Sequence, residues 1–298
     1  MALTQHWYRR AVRCLGLVVL AACGSKGIDK EKAAALFTEV TLETAPGLSG
    51  LAVDDEGGLW TASERDDKGY RITLDDKLVP TIQTWPIEGI PEGTDIEGVA
   101  WLGKGRFALG TEGREDGVSL ILLAEQRGPK LVVTETIRLP ESTLGVEVKR
   151  NHGTEGICGT GQTIVAAIEE TGVVNGKRWA PIVRVDRGAI TRVHKLWLTT
   201  DTGKISGLDC QLGADGSIRA LAIERHFEVT RLLTFALPAG DGDITPEIAL
   251  DLGPILHGKL NLEGIVWTPK GMVAVIDNQY AGITGPSELL VFKQAVVK

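Results

Sequence analysis

The feature that most constrains this chain is an internal repeat. Five segments share Ser or Glu, then Gly, then an aliphatic residue, a turn, and a short run closing on a carboxylate. They open at Ser49-Gly50-Leu51, Glu97-Gly98-Val99, Glu155-Gly156-Ile157, Ser206-Gly207-Leu208 and Glu263-Gly264-Ile265, and they close on Glu64, Glu112, Glu169, Glu224 and Asp277. Openings lie 48, 58, 51 and 57 residues apart, and each carboxylate follows its opening by 15, 15, 14, 18 and 14 residues. Turn residues sit between, as in Asp55-Glu56-Gly57-Gly58 and Pro269-Lys270-Gly271. Each unit therefore opens with a β-hairpin. Strand-like runs follow: Tyr70–Leu74 with Leu78–Thr84, Ser119–Ala124 with Leu131–Leu139, Ile182–Val185 with Ile190–Leu198, and Arg231–Leu237 with Ile244–Leu250.

Units of about 50 residues holding four strands have the period of a β-propeller blade. The fifth unit has only three strands, ending at Leu289–Phe292, and Phe37–Glu43 is available as its fourth. Joining the two ends in one blade would remove the exposed edges of an open sheet. The expectation is an all-β, five-bladed β-propeller over residues 36–298. A sixth, degenerate blade would find no unassigned stretch long enough to hold it. No 10–15-residue amphipathic run separates the strands, which excludes an α/β sheet; the one helix-like stretch, Lys30–Phe37, precedes the repeats.

Residues 1–22 read as a targeting segment. Arg9, Arg10 and Arg13 form a basic start, Cys14–Leu20 is apolar but too short to span a bilayer, and Leu20-Ala21-Ala22-Cys23 matches a bacterial lipobox. That resemblance implies cleavage before Cys23 and lipidation of its thiol, with residues 23–35 as a tether. It also implies a chain held at the cell envelope, periplasmic or surface-exposed, by acyl chains contributing about 0.8 kcal/mol per buried methylene. An ordinary secretory signal is the alternative. The formal charge of −7 becomes −10 without this segment, from 29 basic against 39 acidic residues. So acidic a domain excludes nucleic acid as a partner and suits cations.

In a hairpin the first residue of one strand faces the last of the next. Glu97 and Glu112 are symmetric about Lys104–Gly105, and Ser49/Glu64, Glu155/Glu169 and Glu263/Asp277 are nearly so; Ser206/Glu224 is looser. Counted this way, they are cross-strand neighbours away from the turn. All ten positions, eight of them carboxylates, would then converge on one mouth of a central channel. Converging acids need compensation. A bound cation is one option, and calcium suits an all-oxygen ring. Pairing with Arg65, Arg114 and Arg225 is a second, and hydrogen bonds from backbone N–H groups of the next blade a third. The expected cation ligands are Glu64, Glu97, Glu155, Glu224, Glu263 and Asp277. Arg65, Arg114, Arg150, His152, Arg225 and Asn278, many on long loops at the same face, are expected to touch an anionic ligand. No His or Cys has zinc-ligand spacing, and no nucleophile elbow, dinucleotide fingerprint or P-loop is present. Cys158 and Cys210, on first strands of neighbouring units, can meet as a disulfide. Trp101 and Trp267 occupy equivalent strand positions and are expected to pack between blades.

The blade openings Gly47-Leu48-Ser49-Gly50-Leu51-Ala52, with Trp60-Thr61-Ala62-Ser63-Glu64-Arg65, resemble the esterase-like phytase family of secreted β-propellers. So do Asp95-Ile96-Glu97-Gly98-Val99-Ala100 and Asn261-Leu262-Glu263-Gly264-Ile265, and a similar pattern marks the SdiA-regulated propeller family of bacterial envelopes. The resemblance implies a propeller with a metal-associated funnel and, in the phytase-like case, hydrolysis of phosphate or carboxylic esters. Two functional expectations follow. One is an envelope propeller that binds a small anionic ligand or an envelope protein, with Ca2+, at its acidic mouth. The other is a calcium-assisted phosphoesterase or esterase with Glu112 or Glu169 as general base.

Overall fold

Short β-branched runs separated by Gly- and Asp-rich turns leave this chain little to build except antiparallel hairpins. A computed structural model describes residues 27–113, 115–277 and 285–293. The segment expected to be a targeting signal, with Cys23, lies outside the described residues, as do Arg114 and Asn278. A short helix, α1 (Lys30–Leu36), is capped by the Asp29 carboxylate accepting from Lys32 N. The described part of the segment expected as a tether, residues 27–35, is docked onto the body here. Ala33 is buried among Phe37, Leu256 and Phe292, and Asp29 N donates to Ile255 O at 2.9 Å.

After β1 (Phe37–Leu42), the first unit is β2 (Leu48–Val53), β3 (Leu59–Ser63), β4 (Lys68–Leu74) and β5 (Pro80–Glu88). The second is β6 (Asp95–Gly103), β7 (Arg106–Glu112), β8 (Val118–Arg127) and β9 (Lys130–Pro140), followed by α2 (Glu141–Leu144). The third is β10 (Thr154–Thr160), β11 (Thr163–Ile168), β12 (Gly172–Val174), β13 (Lys177–Asp186) and β14 (Ala189–Trp197). The fourth is β15 (Lys204–Leu212), β16 (Ile218–His226), β17 (Val229–Leu237) and β18 (Glu247–Asp251), then α3 (Gly253–Leu256). The last is β19 (Asn261–Thr268), β20 (Gly271–Asp277) and β21 (Ser287–Phe292). The protein is all-β, in several separate sheets, an arrangement of the β-propeller kind.

Strand pairing within every unit is antiparallel. β1 adds to β21 from Phe37↔Phe292 to Leu42↔Ser287, as the three-stranded fifth unit requires. The first two units are joined into one sheet by a short parallel contact, Ile87↔Leu131 and Glu88↔Val132. An additional strand, β12, follows Thr171 and folds back on β13 through Gly172↔Trp179. One expectation is corrected. Ile244 lies outside β18 and instead bridges Leu196 of the third unit; Pro246, lacking a backbone donor, separates that bridge from the strand.

The first strands touch in a cycle: β2 with β6, β6 with β10, β10 with β15, β15 with β19, and β19 with β2. The repeated glycine is the reason they can. A Cβ on Gly98 would stand 2.6 Å from Glu155 O, and one on Gly264 would stand 2.5 Å from the carbonyl carbon of Gly50. Neither approach is possible for a side-chain-bearing residue. Five apolar clusters fill the seams between neighbouring units, for example Trp60, Phe107 and Leu122 between the first and second, and Ile182, Leu208 and Ala220 between the third and fourth. A disulfide from Cys158 to Cys210, with Cα atoms 5.7 Å apart, crosses the latter seam. Trp101 packs in the first seam as expected, and Trp267 packs against the cluster between the fourth and fifth units. Among the described residues, no helix is long and apolar enough to cross a membrane.

The cross-strand register differs from the symmetric count. Each first strand carries a β-bulge at or beside the repeated Ser or Glu, which adds a residue on that side only. Glu112 therefore faces Asp95 rather than Glu97, and Asp277 faces Asn261 rather than Glu263. Glu64 N and Glu169 N bond to Gly47 O and Gly153 O. In the fourth unit the same position, opposite Lys204, belongs to Arg225. Glu224, one residue earlier, points to the other face of the strand because side chains alternate.

Candidate functional site

The bulges and the hairpin ends opposite the turns bring acids of four units together. Glu112, Glu155 and Glu169 each offer an oxygen within 4.8 Å of the others. Glu97 accepts from Ser49 Oγ of the preceding unit at 2.8 Å, and its electrostatic neighbours are Glu112, Glu155, Glu64 and Glu263. Glu64 in turn faces Asp277 and Asp95. The fifth unit joins through Asn261, whose amide donates to Glu263 Oε1 at 2.6 Å and to Asp277 Oδ2 at 3.2 Å.

Crowding and burial keep part of this cluster protonated. Burial first, then the charges of Glu112 and Glu155, push Glu97 well above the usual carboxylate range. Burial and Glu155 push Glu112 up to about 8 against the pull of Lys204 and His152. Burial lifts Glu263 to about 7 even though Arg225 holds it down.

The cations come from one sector. Lys204 Nζ pairs with Glu169 Oε1 and lies 3.4 Å from Glu155 Oε1. Arg225 donates to Glu263 Oε1 at 2.5 Å. Arg178 Nε donates to Gly203 O at 3.0 Å, beside Lys204. His226 completes the group: burial, then Lys204, Arg178 and Arg225, lower its pKa. The mouth is thus divided, with carboxylates from four units facing a basic wall built largely on the fourth.

His152 connects to the acids: its Nδ1 lies 2.9 Å from Glu169 Oε2 and 3.5 Å from Glu170 Oε1. Arg65 pairs with Glu64 Oε1 at 2.5 Å on the rim. Arg150 is exposed and joins through its backbone N, donating to Asp116 Oδ1 at 2.8 Å. Glu224 is fully buried and spends both oxygens on the N–H and hydroxyl groups of Thr199 and Thr200. It organises the loop ahead of Lys204.

Sequence reasoning missed Asp95, Lys204 and Asn261. All three occupy one position, two residues before the repeated Glu or Ser, where the side chain varies from unit to unit. The spacing of 18 residues in the fourth unit, against 14 or 15 in the others, was the available signal that Glu224 does not match the other closing carboxylates.

The donor set fits a hard divalent cation: it is all-oxygen, and Glu155, only 6% exposed, has an oxygen with no hydrogen-bond partner. Lys204 supplies the positive charge that such an ion would otherwise bring.

A family model described as phytase-like, esterase-like activity of phytase, matches residues 43–279. No curated protein matches the chain. Among solved structures, it is similar to an exo-β-1,3-galactanase from Phanerochaete chrysosporium at 10% identity, with a TM-score of 0.50 over 86% of this chain and 64% of that one. A PQQ-bound aldose sugar dehydrogenase from Streptomyces coelicolor gives 12% identity and a TM-score of 0.45 over 87% and 98% of the two chains. A virginiamycin B lyase from Staphylococcus aureus gives 9% and 0.41 over 87% and 99%. At such identities the likeness concerns the fold alone.

Proposed function

Because the chain belongs to the phytase-like family, described by the esterase-like activity of phytase, we propose that it hydrolyses anionic esters at the carboxylate mouth of a five-bladed propeller. Five blades are supported by the cyclic contact of β2, β6, β10, β15 and β19, and closure by the pairing of β1 with β21. We place the protein at the bacterial envelope, anchored through a lipid on Cys23, without nucleic-acid partners.

The observation that carries the hydrolytic reading is the contact between His152 and Glu169 beside the divided mouth. The Glu169 carboxylate, within ion-pair distance of Nδ1, favours a ring that carries its proton on that side and leaves Nε2 to take a proton from water. Arg178, at the edge of a wall whose Arg225 and Lys204 are paired with carboxylates, is the group that would attract the anionic part of the ester and steady charge growing on its oxygens. Protonated Glu97 lowers the repulsion such an anion meets. Glu112, Glu155 and Glu169 would hold a divalent ion, with calcium best suited to the all-oxygen set; it would supply Lewis-acid polarisation of the ester oxygen.

A second reading, ligand binding without turnover, is favoured by Lys204, which already pairs with both Glu155 and Glu169. Assay of the processed protein on a panel of phosphate and carboxylic esters, with and without chelator, separates the two. Turnover that falls at least a hundredfold in His152→Ala supports hydrolysis. Absence of turnover on every ester, with or without calcium, leaves binding alone.

A further inference from the structure

Three of the seven tryptophans, Trp60, Trp85 and Trp101, line one cavity of about 270 Å³. It lies at the turn ends of the first two hairpins, whereas the carboxylate mouth occupies their other ends. The rings form a fixed box. Trp60 and Trp101 are nearly parallel, 13° apart with centroids 6.4 Å apart, and Trp85 leans over Trp60 at 5.4 Å. Phe107 meets Trp60 and Trp101 edge-on at 4.7 and 5.0 Å, which fixes both planes.

The charges around this box are unequal. Asp54, Asp55 and Glu56 line it against a single cation, Arg71. Arg71 is already spent, with Nε 2.6 Å from Asp54 Oδ2 and a terminal nitrogen 2.8 Å from Glu56 Oε2. Asp54 also accepts from Trp60 Nε1 and from the N–H groups of Glu56 and Gly58. Burial pushes the Asp54 carboxyl up, but these bonds outweigh it and hold the group ionised below its ordinary range. The N–H groups of Trp85 and Trp101 are themselves buried without partners, so neither is an exposed donor at the cavity.

We propose that this cavity binds a small organic cation, an alkylated or quaternary ammonium group, seated against Trp60, Trp85 and Trp101 beside the carboxylates of Asp54, Asp55 and Glu56. An indole face attracts a cation within about 6 Å of its centre, most strongly where water is excluded. An alkylated ammonium gives up little hydration on entering such a box. Both oxygens of Asp54, the most buried of the three carboxylates, are already taken by four hydrogen bonds. An anion meets net negative charge. The site is independent of the ester-binding mouth and stands whether or not that mouth is catalytic.

The test titrates the processed protein with choline, with tetramethylammonium and with 3,3-dimethylbutan-1-ol, the uncharged isostere of choline. Tryptophan fluorescence and calorimetry are read at constant ionic strength. Saturable binding of both cations is expected, at least tenfold tighter than the isostere, and weakened at least tenfold in Trp85→Ala. Asp55→Asn, an exposed change that leaves the packing untouched, is expected to weaken the cations while sparing the isostere. Failure of both cations to saturate at millimolar concentration overturns the proposal. Equal affinity for the isostere, or cation binding unchanged in both variants, does so as well.

Discussion

His152 Nδ1 and Glu169 Oε2 stand 2.9 Å apart, although one residue sits on the loop ahead of β10 and the other just past the end of β11. The backbone bond from Glu169 N to Gly153 O ties the two segments together, so the pair is positioned by main-chain geometry rather than by chance proximity of long side chains. His152→Ala is expected to lower turnover of any accepted ester by about 10²–10⁴-fold, the usual contribution of a positioned general base. Glu169→Gln should fall less in rate, because it keeps the shape but not the charge that orients the ring. Equal rates in wild-type and His152→Ala protein on the best substrate would remove the base from the mechanism.

A different prediction concerns the ring of first strands. The space for a Cβ at Gly264 is already filled by the backbone of Gly50 and Leu51, so no rotamer change can relieve Gly264→Ala. The strands must separate. Destabilisation of roughly 3 kcal/mol is expected, at the upper end for a single methyl group, since backbone as well as packing must move. Gly216→Ala is the control: it lies in an open turn with nothing within 4 Å, and its cost is confined to its positive φ of 82°. Denaturant midpoints for the two variants measure the difference.

The repeat was readable in the sequence because its physical requirements are residue-specific. Tight turns need Gly or Asp, and the contact from Gly98 to Glu155 O tolerates no side chain. The bulge was not readable, because an added residue on one strand leaves no mark in composition; counting from Glu97 to Glu112 assumed a ladder without one. Missing the bulge hid the position two residues earlier, and with it Asp95, Lys204 and Asn261. It also set Glu224 at the mouth, where alternation and the capture of its oxygens by Thr199 and Thr200 forbid it. The tryptophan box was illegible for another reason. Trp60 and Trp85 lie on β3 and β5 of one sheet, and Trp101, on β6, joins them only through the packing of the second unit on the first.

Asp209 gives a prediction in pH. It accepts from Trp267 N at 2.7 Å across the seam between the fourth and fifth units, yet burial raises it to about 7 against those backbone bonds. In the unfolded chain it would titrate near 3.8. Between these values the folded protein keeps a proton that the unfolded chain has lost, so stability from this group is full below pH 3.8 and declines until pH 7. Asp209→Asn keeps an acceptor for Trp267 and never ionises. It is expected to be more stable than wild type by on the order of 2 kcal/mol at pH 8, with the two curves converging toward pH 4. Thermal unfolding at several pH values reads this directly, and a constant difference across the range would show that Asp209 stays ionised in the fold.

Lys204 is the internal counter-ion of the carboxylate cluster, and its removal separates charge compensation from metal binding. Its ammonium group meets Glu155 and Glu169 with only 19% of its side chain exposed, so screening by water is limited. Lys204→Met retains the length of the chain but leaves both carboxylates without their cation. In chelator this is expected to cost about 3 kcal/mol, the lower end for breaking a buried pair. Calcium should then do what the ammonium did. An ion that binds only the folded state stabilises it in proportion to the logarithm of its concentration over its dissociation constant. Since it no longer competes with a resident charge, its effect should be larger in the variant. The expected result is a calcium-induced rise in melting temperature at least twice that of the wild type, abolished when Glu155→Gln is added. A smaller rise in Lys204→Met than in wild type would mean that the lysine helps to hold the site open for the ion rather than standing in its place.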